Sequence, residues 1–217
     1  TLASATPAVA GTEVRATIRL RTASGKPIAP EDLPIAHTRK LHLLIADTTL
    51  IDYQHLHPEP TRVPGEWEFH FTPRFGGIYR IFGDFTPVAT NRSLYANTEL
   101  AVTGAVPEST ALAVAKKIAW TTEREGYRFT LVPATQPIRA RQSEDLKFLV
   151  TRPDGGPVPM EPVMGAYAHL VAFDEARSGF AHLHPMETDV LQRPDATRPT
   201  LKVKITIPRA GRYVSWA

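Results

Sequence analysis

Apolar and polar residues alternate with period two along much of the chain. The clearest runs are Val14-Arg15-Ala16-Thr17-Ile18-Arg19-Leu20, Glu66-Trp67-Glu68-Phe69-His70-Phe71 and Leu201-Lys202-Val203-Lys204-Ile205-Thr206-Ile207. Successive side chains on a strand point to opposite faces, so each run predicts a strand with one face in a core and one in water. No long segment carries a helical period. Twenty prolines and thirteen glycines punctuate the runs at the spacing of a β-sandwich. The pattern predicts an all-β chain built as two tandem immunoglobulin- or fibronectin-like sandwiches.

Internal similarity is the reason for expecting two. The tetrapeptide HLHP occurs at residues 55–58 and again at 182–185, and thirteen residues before each stands another histidine, His42 and His169. Both copies therefore read H-x12-H-L-H-P at a constant offset of 127 residues. Around this core, Lys40-Leu41-His42-Leu43-Leu44-Ile45 matches Tyr167-Ala168-His169-Leu170-Val171-Ala172, and Phe75-Gly76-Gly77-Ile78-Tyr79 matches Ala210-Gly211-Arg212-Tyr213. A period this long exceeds that of solenoid repeats and fits a duplicated domain. The expected division is repeat 1 over residues 1–105, a linker over 106–125 that includes an alanine-rich piece at 111–117, and repeat 2 over 126–217. The second copy carries Tyr127-Arg128-Phe129-Thr130-Leu131-Val132 ahead of its matching region, and the first copy shows almost nothing there.

The histidines supply the candidate chemistry. Residues i and i+2 share a strand face, so His55 and His57 are neighbours, as are His182 and His184. A hairpin centred on the residues after Asp47 puts Ala46 opposite Tyr53 and His42 opposite His57. The same register in the second copy puts His169 opposite His184, with the turn around Glu175-Ala176-Arg177. Directly opposed residues have Cβ atoms about 4.5–5.5 Å apart, so three imidazoles are expected on one face of each hairpin. Three neutral imidazoles make a borderline ligand set suited to Cu(II), Zn(II) or Ni(II). Pro58 and Pro185 end the strands and leave the rings near a sheet margin. At the common offset His37 corresponds to Met164 and Glu59 to Met186. The first copy thus offers His37, His42, His55, His57 and Glu59, and the second Met164, His169, His182, His184 and Met186. Thioethers select soft Cu(I), whereas imidazole with carboxylate suits Cu(II) or Zn(II); copper is the metal that would use both sets, with zinc as the alternative. The competing reading is structural or adhesive, with histidines that brace the hairpins and another extracytoplasmic protein as partner. His70, beside Glu66 and Glu68, reads as a solvated surface residue.

Several classes lose support. Lys plus Arg number 25 against 22 Asp plus Glu, and the two signs are interspersed, so no nucleic-acid stripe is present. No run approaches the length of a membrane span. There is no cysteine, hence no disulfide and no thiolate site. Without a G-x-S-x-G segment or a placeable acidic pair, the chain reads as non-catalytic. A cupin would need a glutamate three or four residues beyond the second histidine, and Glu59 comes too soon. Thr1-Leu2-Ala3-Ser4-Ala5-Thr6-Pro7 reads like the small-residue stretch left by signal-peptide removal, which favours a periplasmic or secreted address.

With these residues in hand the chain resembles a group of bacterial secreted or lipid-anchored β-sandwich proteins that carry an HLHLxIxxxDLxxFxHxHP type of segment followed by G-x-Y, similar to the YtkA-like family. The matching stretches are Lys40 to Pro58 with Phe75 to Phe82, and Tyr167 to Pro185 with Ala210 to Trp216, about half of each domain. Tyr53 departs from the phenylalanine common in that group. The resemblance implies an immunoglobulin-like fold, an extracytoplasmic location and an association with heavy-metal or copper handling.

Overall fold

The computed structural model describes every residue except His37, Lys116 and Thr188, together with the Leu112 side chain. The chain is nearly all β and divides into two compact units, Thr1–Val114 and Ala115–Ala217.

In the first unit the strands are β1 (Leu2–Ser4), β2 (Ala8–Val9), β3 (Val14–Arg19), β4 (His42–Asp47), β5 (Tyr53–Leu56), β6 (Glu59–Pro60), β7 (Glu66–Phe71), β8 (Gly77–Phe85) and β9 (Leu94–Thr103). They form a four-stranded sheet in the order β1-β3-β7-β6 and a five-stranded sheet in the order β2-β9-β8-β4-β5. The alternation seen in the sequence becomes the sandwich core. Val14, Ala16 and Ile18 of β3 lie opposite Phe71, Phe69 and Trp67 of β7, and these pack with Leu43 and Ile45 of β4 and Tyr79 and Ile81 of β8. Polar partners Arg15, Thr17, Glu68 and His70 occupy the other face of the four-stranded sheet; His70 is exposed beside Glu68, as expected of a solvated residue.

The second unit holds β10 (Thr121–Arg124), β11 (Tyr127–Pro133), β12 (Ser143–Thr151), β13 (Leu170–Asp174), β14 (Phe180–Leu183), β15 (Thr200–Thr206) and β16 (Tyr213–Trp216). Its sheets run β10-β11-β12-β15 and β14-β13-β16. Leu146 and Phe148 face Val203 and Leu201 across β12 and β15, and Leu170 and Tyr167 close the core. The central strands parallel those of the first unit, β3 and β7 corresponding to β12 and β15, and β4, β5 and β8 to β13, β14 and β16, whereas β2, β6 and β9 have no counterpart among the described strands of the second unit.

Two features depart from the sequence reading. Residues 121–124, assigned to the linker, form β10 and pair along their length with β11. Their composition, Thr-Thr-Glu-Arg, has no apolar face to betray a strand; the ladder is held by main-chain bonds and by the tight turn at Glu125 and Gly126, both with positive φ. The segment ahead of the first copy is also occupied, because β1 pairs with β3 in the place that β11 takes beside β12. With three residues, β1 is too short to register as alternation. Within the alanine-rich piece Ala111–Val114 forms α1, a single helical turn whose Ala111 N–H donates to Thr49 O.

Candidate metal centre

The β4–β5 hairpin has the register that its hydrophobic pattern dictates, with Leu43 opposite Leu56, Leu44 opposite His55 and Ala46 opposite Tyr53. Extended by one residue, it brings His42 level with His57. The β13–β14 hairpin repeats it, with Leu170 opposite Leu183, Val171 opposite His182 and Phe173 opposite Phe180, so His169 is level with His184. A slip of one residue would send the leucines to the histidine face, which fixes the register in both units. β5 and β14 are sheet edges, and both end immediately before the last histidine of the triad, ahead of Pro58 and Pro185.

The turn that closes the first hairpin is built on Asp47. Its buried carboxylate accepts N–H bonds from Thr49, Ile51 and Asp52 and the Thr49 hydroxyl, while Leu50 adopts a left-handed φ of 56°. Asp52, also buried, accepts from the Tyr79 hydroxyl at 2.8 Å and from the Arg74 N–H at 2.8 Å, which ties the start of β5 to β8. Burial, with Asp52 and Asp47 nearby, pushes the Tyr79 hydroxyl well above the usual phenol range against the opposing effect of the Phe75 N–H. In the second unit Asp174 plays the part of Asp47, accepting from the Ser178 N–H and hydroxyl, and Arg177 has the left-handed φ of 50°.

On this frame the first triad converges. His42 is buried at the head of β4. Its Nε2 lies 3.0 Å from the Ala36 carbonyl, which can only accept, so Nε2 carries the hydrogen and donates. That leaves Nδ1 with its lone pair directed at the other two rings: it lies 3.1 Å from His55 Nε2 and 3.1 Å from His57 Nε2. Ring centroids are 5.4, 4.8 and 5.0 Å apart around the triangle. One lone pair cannot accept two strong hydrogen bonds, but three lone pairs can share a cation. A tetrahedral site with bonds of about 2.0–2.1 Å has nitrogen–nitrogen edges of about 3.3 Å, so the observed 3.1 Å edges need only a small outward movement to take an ion. These donor atoms can hold a metal.

The second triad repeats the carbonyl anchor. His169 Nε2 lies 2.8 Å from the Val163 carbonyl and donates to it, at the offset of 127 residues that relates Val163 to Ala36. The three remaining nitrogens, His169 Nδ1, His182 Nε2 and His184 Nε2, are all buried. Ring centroids are 6.1, 4.7 and 4.6 Å apart, so the triangle is wider along its His169–His182 edge than its counterpart. Both accepting carbonyls sit in duplicated tight turns, Ala36 bridging Arg39 and Val163 bridging Ala166, with left-handed residues at Thr38, Met164 and Gly165. This orienting carbonyl was not legible in the sequence, because a backbone acceptor leaves no residue signature.

The remaining sequence candidates are placed differently. Glu59 lies on β6 and faces Arg39, 3.4 Å away, with its side chain largely in solvent, so it stands outside the triad. Met164 is half-buried in the turn itself and Met186 is 55% exposed; the buried donors of the second triad are all imidazole nitrogens. His37 lies outside the described residues. Conversely, β8 brings Asp84 directly across from His42, a carboxylate that no local motif announces.

A family model described as a domain of unknown function (DUF8832) matches residues 1–103 and 121–217, one segment in each unit. No curated protein matches the sequence. Among solved structures the chain is similar to FdeC, described as a broadly conserved Escherichia coli adhesin, at 15% identity and a TM-score of 0.34 over 98% of this chain and 57% of that one. It is also similar to TarS of S. aureus, at 8% identity and a TM-score of 0.26 over 98% of this chain and 36% of that one. The chain thus spans little more than half of the first, and neither likeness bears on function.

Proposed function

The chain belongs to the DUF8832 family, a domain of unknown function, and we propose, from the geometry of its histidines, that it is a non-catalytic binder of transition-metal ions. Copper is the ion we assign, zinc the alternative, and the role is to sequester or hand on the ion in a periplasmic or extracellular space. The observation that carries this reading is atomic: in the first unit His42 is locked by a main-chain carbonyl through Nε2, and its Nδ1 lies 3.1 Å from the Nε2 atoms of both His55 and His57; the second unit repeats the carbonyl contact at His169 and buries its three other imidazole nitrogens. Metal-ligating histidines are typically oriented in this way by their far nitrogen. Rings that served only to brace a hairpin would have no need to converge their second nitrogens. Copper is favoured because affinity for a nitrogen-only site among the divalent first-row ions peaks at Cu(II). The extracytoplasmic address rests on the resemblance to secreted proteins.

Metal analysis of protein loaded with Cu(II) or Zn(II) and then desalted tests the reading. One ion per triad is expected, and His55→Ala/His57→Ala and His182→Ala/His184→Ala should each abolish one site while leaving the circular dichroism unchanged. Folded protein that retains less than one ion per several chains refutes it, and a loss of stability in metal-free variants would assign the imidazoles to bracing instead.

A further inference from the structure

We propose that Lys40 is a positioning residue of the first metal site: its ammonium holds the segment that delivers the Ala36 carbonyl to His42, and so fixes which His42 nitrogen is left to bind the ion. This deepens the three-imidazole reading of that site and rests on it. The Lys40 side chain is half-buried, and its Nζ donates to Pro30 O at 2.6 Å and to Leu33 O at 2.9 Å. These carbonyls belong to the 3-10 turn over Pro30–Asp32 and to the residue that ends it. Leu33 is buried and extended, and the proline after it disfavours any return to helical backbone. Pro34 and Ile35 alone separate Leu33 from Ala36. Ala36 in turn exchanges two main-chain bonds, of 2.8 and 3.1 Å, with Arg39, the residue next to Lys40. Lys40 therefore ties the arm that enters the Ala36 turn to the arm that leaves it and runs into β4 at His42.

The consequence for the metal is a matter of tautomers. A neutral imidazole carries its hydrogen on either nitrogen, and the hydrogen bond made by one nitrogen decides the state of the other. Ala36 O, 3.0 Å from Nε2, holds the hydrogen there, and Nδ1 keeps the lone pair that faces His55 and His57. If the entering arm drifts, Nε2 loses its acceptor and Nδ1 can take the hydrogen, which removes one of three ligands. Two bonds from a charged donor oppose that drift. A bare charge effect has the opposite sign: an ammonium two residues from a ligand repels a cation, so its loss would raise affinity, whereas loss of positioning lowers it. In the second copy Tyr167 stands at the matching place. Its hydroxyl donates to Val190 O at 2.7 Å, in the segment that follows the second triad rather than the one that leads into Val163.

The test uses the full chain in a His182→Ala/His184→Ala background, so that the first site alone is titrated. Co(II) serves as spectroscopic probe and Zn(II) as competitor, and nitrogen NMR of the imidazole rings reads the His42 tautomer in metal-free protein. Lys40→Met keeps the stem and removes the donors. It should weaken Co(II) and Zn(II) binding by about tenfold, the lower end of the usual cost of a lost outer-shell partner, and the single Nε2–H tautomer of His42 should give way to a mixture. Lys40→Gln retains a neutral donor and should show a smaller loss of the same sign. Phe69→Leu, in the core on the four-stranded sheet, destabilises the unit without touching this loop and should leave both readouts unchanged. Binding by Lys40→Met that equals or exceeds that of the parent, or a His42 tautomer that stays single, overturns the role of Lys40 and leaves the triad standing; so does an equal loss in Phe69→Leu. A background chain that takes up neither ion overturns the triad and this inference together.

Discussion

Removal of the Tyr79 hydroxyl should loosen the hairpin that presents the first triad. Tyr79 is fully buried in β8. Its hydroxyl donates to Asp52 Oδ2 at 2.8 Å and accepts from the Phe75 N–H at 3.1 Å. Tyr79→Phe leaves no cavity large enough for repacking to matter, so its cost is polar. A hydrogen bond to a charged carboxylate contributes about 1.5–3 kcal/mol, and a part-buried N–H stripped of its acceptor costs about 1 kcal/mol or more. Asp52 keeps the Arg74 N–H and the more distant Gln54 amide, which limits the loss. A destabilisation of about 2–4 kcal/mol is expected for the first unit. Urea unfolding followed by the fluorescence of Trp67, in a Trp120→Phe/Trp216→Phe background, isolates that unit, and the fluorescence of Trp216 in a Trp67→Phe/Trp120→Phe background reads the second. The matched substitution in the second unit, Tyr213→Phe, is an internal control: Tyr213 donates only to a neutral carbonyl, Arg209 O, and should cost about 0.5–1.5 kcal/mol. A change below about 0.5 kcal/mol in Tyr79→Phe, or equal effects in the two units, would refute the claim that the Asp52–Tyr79 bond anchors β5.

Further outcomes follow from the same contacts. Burial raises the Tyr53 and Tyr79 hydroxyls above the ordinary phenol value of 10.0; a raised folded-state value gives stability that is complete below pH 10.0 and is lost as pH rises toward the folded-state titration. Alkaline unfolding should therefore begin near pH 10 and weaken in Tyr53→Phe/Tyr79→Phe, as measured by thermal melts across pH. Asp47→Asn turns an amide donor toward a turn in which the carboxylate accepts three N–H groups and should cost about 2–4 kcal/mol, more than Asp174→Asn, whose half-buried counterpart takes the Ser178 N–H; paired urea curves decide this. Gly76→Ala would set a Cβ 2.1 Å from the Gly104 carbonyl oxygen and should prevent the first unit from folding, with dispersed amide resonances surviving only from the second.

The hairpin registers and the three-imidazole sets were legible in the sequence because period-two alternation and a fixed spacing determine them together. Once Leu43 and Ile45 face the core, His42 must face the other way, and a loop centred after Asp47 leaves one pairing. β10 was not legible, since an exposed Thr-Thr-Glu-Arg strand is held by its ladder and turn without an apolar stripe. The place of Asp84 was hidden for a different reason: pairing of β8 with β4 joins residues forty-two positions apart, and nothing local encodes which strand becomes the neighbour. The methionines show the limit of alignment by offset. Met186 occupies the position of Glu59, but position in a repeat fixes the backbone and not the direction of a long side chain beyond a strand end, and both residues point largely into solvent.

Duplication alone would copy histidines whether or not they did anything, so the recurrence of six residues is weak support for a shared role. The recurrence of atomic detail is stronger. Loop composition has diverged between the copies, from Thr38 to Gly165 and from Leu50 to Arg177, yet each copy still presents a carbonyl to the same imidazole nitrogen, at 3.0 and 2.8 Å. A brace requires only that some polar partner be found. A ligand requires that one nitrogen be held so that the other points at its two companions; the first unit satisfies that constraint in full, and the second repeats the held nitrogen with its three rings gathered beside it.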